Sequence, residues 1–178
     1  MKLNLEKLGK KNVCLIGLMG AGKSIIGKLL AKELRMSYYD SDKLIEKKLK
    51  KSINQIFIDH GESYFRNIEE EIVLSLLDKK NCVISLGGGS VLSNLTRKVL
   101  FLNSFSIYLK VDIEILYERL IKSKKRPLIK NQNIKEKLIK LTQDRNKYYK
   151  RANLIVNNSK NTEEALNKIK SELQKYNE

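Results

Sequence analysis

Gly17-Leu18-Met19-Gly20-Ala21-Gly22-Lys23-Ser24 is the stretch of this chain whose residue types and spacing point most directly to chemistry. It fits G-x4-G-K-[ST], a loop whose glycines let the backbone close around phosphates without Cβ clashes, so that successive N–H groups point inward. A helix N-terminus behind it adds partial positive charge. Lys23 is placed to bridge β- and γ-phosphates, and Ser24 to set its hydroxyl on Mg²⁺. Three further features lie along the chain. Asp40-Ser41-Asp42 offers two carboxylates one residue apart, enough to serve a metal shell and an acceptor hydroxyl separately. Gly87-Gly88-Gly89 allows a ligand to approach backbone N–H groups closely, where an ordinary turn needs fewer glycines. Arg66, Arg126 and Arg145 belong to a set of only seven arginines among 36 basic residues, which suggests a need for the planar guanidinium fork. Taken singly, the acids also read as a helix-start pair and each arginine as a surface residue.

Other chemistries have little to work with. His60 is the single histidine, which removes Ser-His-Asp triads and His-rich metal sites. Cys14 and Cys82 cannot build a disulfide scaffold or a four-thiolate zinc site, and both fall in apolar runs where a thiol acts as a small hydrophobe. No apolar run approaches the length that spans a bilayer, and the first residues lack a secretory pattern, so the expected setting is cytoplasmic. The net charge of +16 invites polyanions. Thirteen basic and two acidic residues lie between Arg119 and Arg151, so the surplus is local. An RNA- or DNA-binding face would interleave exposed aromatics, yet aromatics are 7% and Trp is absent.

The elements that would position these groups alternate. Val13–Ile16 reads as a buried strand, followed by the glycine loop and a helix from about Gly22 to Leu34. Ser37–Tyr39 is a second strand ending at the acidic pair. Helices are expected at 42–50, from Ser52 (where Ser52 and Gln55 fit a capping box) and from Glu62 to Leu77. Cys82–Leu86 is the third strand, and Ser106–Leu109 and Leu154–Val156 complete the set. Further helices fall near 112–121, 134–150 and after Thr162. His60 before Gly61 marks a helix end. This alternation predicts an α/β fold in three layers, a parallel sheet with helices on both faces, in one domain spanning 1–178. Open sheets of this kind bind ligands at the carboxyl ends of their strands.

The motifs taken together, with Ile56-Phe57, Gly61-Glu62, Phe65-Arg66-Asn67-Ile68-Glu69, Arg126-Pro127-Leu128 and Arg145…Tyr149…Ala152, resemble the shikimate kinases from about Val13 to Val156. The resemblance implies a P-loop fold like that of the nucleoside monophosphate kinases, with a five-stranded parallel sheet, a substrate-binding segment at about 40–70 and a mobile lid at about 120–134. It implies phosphorylation of the 3-hydroxyl of shikimate by ATP, with Mg²⁺ as cofactor. Gly20, Ala21, Gly22, Lys23, Ser24 and Ile25 would hold ATP, and Ser24 with Asp40 the metal. Asp42 would bind the ring hydroxyls and accept the hydroxyl proton. Arg66 and Arg145 would clamp the acceptor carboxylate beside the backbone of Gly88 and Gly89. Arg126 and Lys23 would neutralise charge on the transferring phosphoryl group. The implied partners are small molecules, ATP and shikimate, rather than nucleic acid or membrane, and the implied state is a monomer. Ile25 departs from the family, which usually has a hydroxyl residue there. Lys122 stands where an arginine often meets the adenine, and 157–160 match no adenine-side pattern. Two alternatives remain at this stage: a gluconate-type kinase, and a nucleic-acid-stimulated NTPase. The reading requires Arg66 and Arg145 to converge near Asp42.

Overall fold

The computed structural model describes residues 3–122 and 134–176. Its centre is one parallel sheet built from β1 (Asn12–Ile16), β2 (Ser37–Asp40), β3 (Cys82–Ser85), β4 (Ser104–Lys110) and β5 (Leu154–Asn157), in the spatial order β2-β3-β1-β4-β5. β1 is buried along its whole length, as its apolar sequence NVCLI requires of a strand covered on both faces. From β1 the chain crosses to the edge strand β2, returns to β3 between the two, and then passes β1 to β4 and β5 on the other side, so the reversal falls between β3 and β1. Register aligns the motifs: Asp40 pairs with Ser85 and Ser85 with Leu15, one row across three strands. The residues that follow each member of that row therefore emerge at the same rim.

Helices cover the sheet. α1 (Lys23–Leu34) buries Ile26, Gly27, Leu30, Ala31 and Leu34, the spacing of a helix with one apolar face. Gly27 brings the helix close, because a Cβ there would lie 2.6 Å from the Ser85 hydroxyl and 2.6 Å from the Tyr38 ring. Ser85 Oγ donates to the Lys23 carbonyl at 3.0 Å, fixing the start of α1 to the end of β3. α2 (Ser41–Leu49) is capped by Asp40, whose carboxylate accepts from the Lys43 N–H at 3.3 Å. α3 (Ile53–Leu77) bends at Gly61, where φ 78° and ψ 178° interrupt the helix. The two helices expected either side of residue 61 are therefore present, run together in α3 with the kink at Gly61 between them. The capping box at Ser52 is only half made: its hydroxyl accepts from the Gln55 N–H, but the Gln55 side chain turns to Asp59.

A short 3₁₀ turn (Ser90–Leu92) and α4 (Asn94–Asn103) follow the glycine triplet; neither was expected from the sequence, although Ser93 caps α4 through the Thr96 N–H. α5 (Ile113–Lys122), α6 (Ile134–Tyr149) and α7 (Thr162–Lys175) complete the described chain. α7 is capped by Asn161, which accepts from the Glu163 and Glu164 N–H groups. Cys14 and Cys82 are buried and unpaired, and burial pushes the Cys82 thiol up to about 11. His60 lies at the Gly61 bend with its ring 4.6 Å from that of Tyr64.

Gly17, at φ 141°, carries the chain from β1 into the loop, and a Cβ there would lie 2.7 Å from the Leu109 carbonyl oxygen. Gly17→Ala is therefore expected to lose about 1–3 kcal/mol of stability. Gly9→Ala, at φ 63° with nothing within 4 Å, should lose only about 1 kcal/mol, the conformational cost alone. Thermal unfolding of both variants measures the difference.

Candidate active site

Three loops meet at the rim that the Leu15–Ser85–Asp40 row defines. The first is the glycine loop at 17–24. Gly20 and Gly22 adopt φ 78° and 86°, and Gly22 is the residue that opens α1. Lys23 folds over this loop, its ammonium donating to the carbonyls of Gly17 and Leu18 at 2.8 Å each. The second carries the acids. Asp40 is buried (8% exposed), and its Oδ2 accepts from Ser24 Oγ at 2.7 Å and from the Tyr38 hydroxyl at 3.1 Å. Burial chiefly, with the Asp40 charge beside it, pushes Tyr38 up to about 12, so its phenol stays a donor. Asp40 is thus both the helix cap of the plainer reading and the partner of the P-loop serine.

The third loop is the glycine triplet, and each glycine abuts a different functional group. A Cβ at Gly87 would lie 2.5 Å from Asp42 Oδ1 and 2.5 Å from Glu69 Oε1. At Gly88 it would meet Gly17 O at 3.3 Å, Met19 N at 3.4 Å and Arg145 Nη1 at 3.5 Å. At Gly89 it would overlap the Arg66 guanidinium. Asp42, Arg145 and Arg66 therefore converge on three consecutive residues, and the P-loop touches the same strand end. The Gly87 N–H donates to the buried Ser41 hydroxyl at 2.8 Å, which ties the triplet to the acid-bearing turn.

Arg66 is held by two acids of its own helix. Nη1 donates to Glu69 Oε2 at 2.6 Å, and Nε and Nη2 to Glu62 Oε1 at 3.1 and 2.9 Å. Burial alone would lower its affinity for a proton, but the two carboxylates outweigh that and raise it. Glu69 is only 3% exposed and also accepts from Ser90 Oγ at 2.8 Å, so it is a compensated buried carboxylate. Arg145, in α6, is 7% exposed, and its Nε has no hydrogen-bond partner among the described residues. Tyr149, one turn on, donates its hydroxyl to Gly88 O at 2.5 Å and stacks on Tyr108 with ring centroids 5.0 Å apart. Burial raises both phenols above their ordinary range. The Phe57 and Phe65 rings pack at 4.6 Å on the same helix.

Some groups at the site went unnoticed in the sequence. Arg119 in α5 donates from Nη2 to the Asn158 carbonyl at 2.7 Å and from Nη1 to Gly20 O at 3.5 Å. Asn158, fully buried, donates from Nδ2 to Ala21 O at 2.9 Å. The arginine of α5 that meets the P-loop is thus Arg119, whereas Lys122 is exposed and sits 3.9 Å from Glu118. The 157–160 stretch, without a recognisable pattern, backs the P-loop through Asn158. Glu69 and Tyr149 were visible only as parts of a motif. Ile25 is 59% exposed at the start of α1. Arg126 lies outside the described residues, as does most of the expected lid.

A phosphate-cradling loop and a second cationic pocket share one rim of a five-stranded parallel sheet, and this arrangement defines a P-loop kinase. Comparisons with known proteins sharpen that. The shikimate kinase family model matches residues 19–174. A shikimate kinase of Bartonella quintana is 42% identical over 156 residues, covering 88% of this chain and 74% of that protein. The structure of the Acinetobacter baumannii shikimate kinase in complex with shikimate aligns with a TM-score of 0.87 at 31% identity, over 93% of this chain and 94% of that one. A gluconokinase of Sinorhizobium meliloti aligns at 0.64 with 16% identity, over 93% and 92% of the two chains, a likeness of fold alone. The chain belongs to the shikimate kinase family and is an ATP-dependent kinase.

The contact between Gly89 and Arg66 is directly testable. The far end of a flexible side chain can move, but this guanidinium also compensates buried Glu69, so Gly89→Ala should still fold while displacing Arg66 at a cost of about 1–3 kcal/mol of stability. Its KM for the acceptor is expected to rise at least about tenfold, with the KM for ATP within twofold. Steady-state kinetics with each substrate varied in turn checks this.

Proposed function

We propose that this enzyme transfers the γ-phosphoryl group of ATP to the 3-hydroxyl of shikimate, with separate sites for the two anions on either side of the glycine triplet. The observation that carries the reading is the convergence of Arg66, Arg145 and Asp42 on Gly87, Gly88 and Gly89 beside the P-loop. A planar carboxylate is matched by two guanidinium forks. A gluconate-type acceptor also carries a carboxylate. The sequence likeness to shikimate kinases, absent from the gluconokinase comparison, favours the cyclic acid.

In this reading the backbone of Gly20 to Ile25 receives the triphosphate, and the α1 N-terminus faces it. Lys23 exchanges its loop carbonyls for phosphate oxygens. Ser24 and Asp40 present oxygen donors 2.7 Å apart, the hard-ligand chemistry that suits Mg²⁺. Among the described residues no cluster of three His, Cys, Asp or Glu side chains could hold a metal, which fits an ion held chiefly by phosphates and water. When bound, Mg²⁺ supplies charge neutralisation across the β- and γ-phosphates. Arg66 and Arg145 fix the acceptor carboxylate, and Gly88 and Gly89 let its ring lie against backbone. Asp42 then orients the 3-hydroxyl and takes its proton. The bond from that oxygen to the γ-phosphorus forms as the bond to the β,γ-bridging oxygen breaks, and ADP leaves. Lys23, with Arg126, stabilises the charge on the transferring group.

The need for ATP and the two free buried cysteines support a cytoplasmic setting, and among the described residues no helix is long and apolar enough to cross a membrane. We take the enzyme to act as a single-domain monomer on its two small substrates.

Arg66→Ala is expected to abolish measurable shikimate binding with ATP affinity nearly intact, read by titration calorimetry with each ligand. Because that variant leaves Glu69 buried and unpaired, Arg66→Lys should repeat the loss of shikimate affinity with less loss of stability. Equal loss of both ligands would contradict separate sites. Asp42→Asn should cut kcat by about 10²–10⁴ with the fold unchanged by circular dichroism, and a near-normal rate would remove Asp42 as proton acceptor.

A further inference from the structure

Arg97 stands in the first turn of α4, where a cation works against the helix dipole, so the helix itself does not call for it. Its fork is fully employed elsewhere. Nη1 donates to the carbonyls of Val91 and Leu92 at 2.7 and 2.8 Å, and Nη2 donates to Asn94 Oδ1. These carbonyls belong to the 3₁₀ turn that leaves Gly89. The carbon of the same guanidinium lies over the Tyr148 ring, 4.0 Å from its centroid, with Lys147 Nζ 5.1 Å from that centroid. Lysine could supply the charge but not the fork and the stacking face together.

Tyr148 is in α6, three residues beyond Arg145 and next to Tyr149. The two tyrosines leave the helix in different directions: Tyr149 reaches Gly88 O, while Tyr148 meets Arg97. With the packing of α6 on α5, where Lys135 pairs with Glu114, they locate α6 against the strand end. That matters for Arg145, whose Nε finds no partner among the described residues and whose place depends on the helix that bears it. Arg66 is held from its own helix by Glu62 and Glu69. The spacing between the two guanidinium groups therefore depends, besides the packing of α6 on α5, on how α6 docks on the turn after Gly89.

We infer that Arg97 and Tyr148 form a positioning pair that holds Arg145 at the right distance from Arg66 for both to engage one carboxylate. This rests on the reading of Arg145 as an acceptor-binding residue. Neither member of the pair touches the substrate. Removing the stack lets α6 shift relative to the turn, which weakens acceptor binding and leaves the nucleotide loop, on the other side of Gly88, as it was.

The test is steady-state kinetics of Arg97→Lys, Arg97→Ala, Tyr148→Leu and Tyr148→Phe, with Arg145→Ala as reference and thermal unfolding of each. Tyr148→Leu and Arg97→Lys are expected to raise the shikimate KM about tenfold, with the ATP KM within twofold of normal. Tyr148→Phe keeps the ring and should behave as the unmutated enzyme, a rescue that a requirement for the hydroxyl would not give. Should Arg97→Ala fail to fold, Tyr148→Leu, which alters a half-buried ring, decides the question. A shikimate KM for Tyr148→Leu within twofold of normal overturns the pairing, as does an equal rise in both KM values. If Arg145→Ala loses shikimate affinity and Tyr148→Leu does not, the pair alone fails. If Arg145→Ala keeps it, the assignment of Arg145 fails and the pair with it.

Discussion

Two anions must be brought within bonding distance at a sheet rim that is already crowded by backbone. The constraint that makes this possible is the missing side-chain volume at Gly87, Gly88 and Gly89. The space a Cβ would take at each position lies against a group that belongs to the proposed site: Asp42 and Glu69, then Arg145 and the P-loop, then Arg66. Gly61 shows a different reason for the same residue type. Nothing lies within 4 Å of its Cβ position, but φ 78° and ψ 178° belong to glycine's territory. The bend there turns the second half of α3 so that Glu62, Phe65, Arg66 and Glu69 run beside the triplet. One glycine is conformational and three are steric, and the site depends on both kinds.

Arg66 is paired before any ligand arrives, and its two partners are unequal. Glu69 is buried, so its charge has to stay compensated, and breaking that contact is costly. The Glu62 side chain is 64% exposed, and an exposed pair of this kind is worth only about 0–1 kcal/mol. On the proposed reading, an incoming carboxylate has a cheap contact to displace and a firm one to build upon. The Glu69 pair orients the guanidinium, while Nε and Nη2 form the exchangeable edge. The buried acid serves less as a source of stability than as a fixed support for a cation that must point outward.

Where a group's neighbours are close in the chain, its placement was legible in the sequence. The glycine loop, the Asp40 cap and Ser24, and the five strands are local patterns, and the structure places them as periodicity and turn chemistry require. α4 went unseen because its amphipathic stretch follows directly on the triplet, with only Ser93 as a signal. The division of α3 at Gly61 was legible because a glycine at the end of an apolar-periodic stretch is a local helix-end signal. Arg119 and Asn158 lie 99 and 137 residues from the P-loop carbonyls they bind, and no spacing rule joins them. The expected pairing of Arg66 with Arg145 needed a family pattern, because nothing local links α3 to α6.

Arginine itself was the more informative signal, and the structure shows why. Apart from Lys23 and Lys10, which each bind two backbone carbonyls, lysines of this chain make exposed single-point pairs, such as Lys11 with Asp78, Lys48 with Glu71 and Lys135 with Glu114. Such pairs ask only for a flexible positive charge. Four of the arginines do something else: Arg66 and Arg145 flank the triplet, Arg97 clamps the turn after it, and Arg119 holds the P-loop from outside. Arg66, Arg97 and Arg119 each use the geometry of the fork on more than one acceptor. Selection of guanidinium over ammonium is worth the distinction only where direction matters, and in a lysine-rich chain that leaves arginine at the places where two elements, or a protein and an anion, must meet at a fixed angle. The large positive charge is thus two populations: a diffuse lysine surface that attracts anions from a distance, and a small set of forks that decides how they sit.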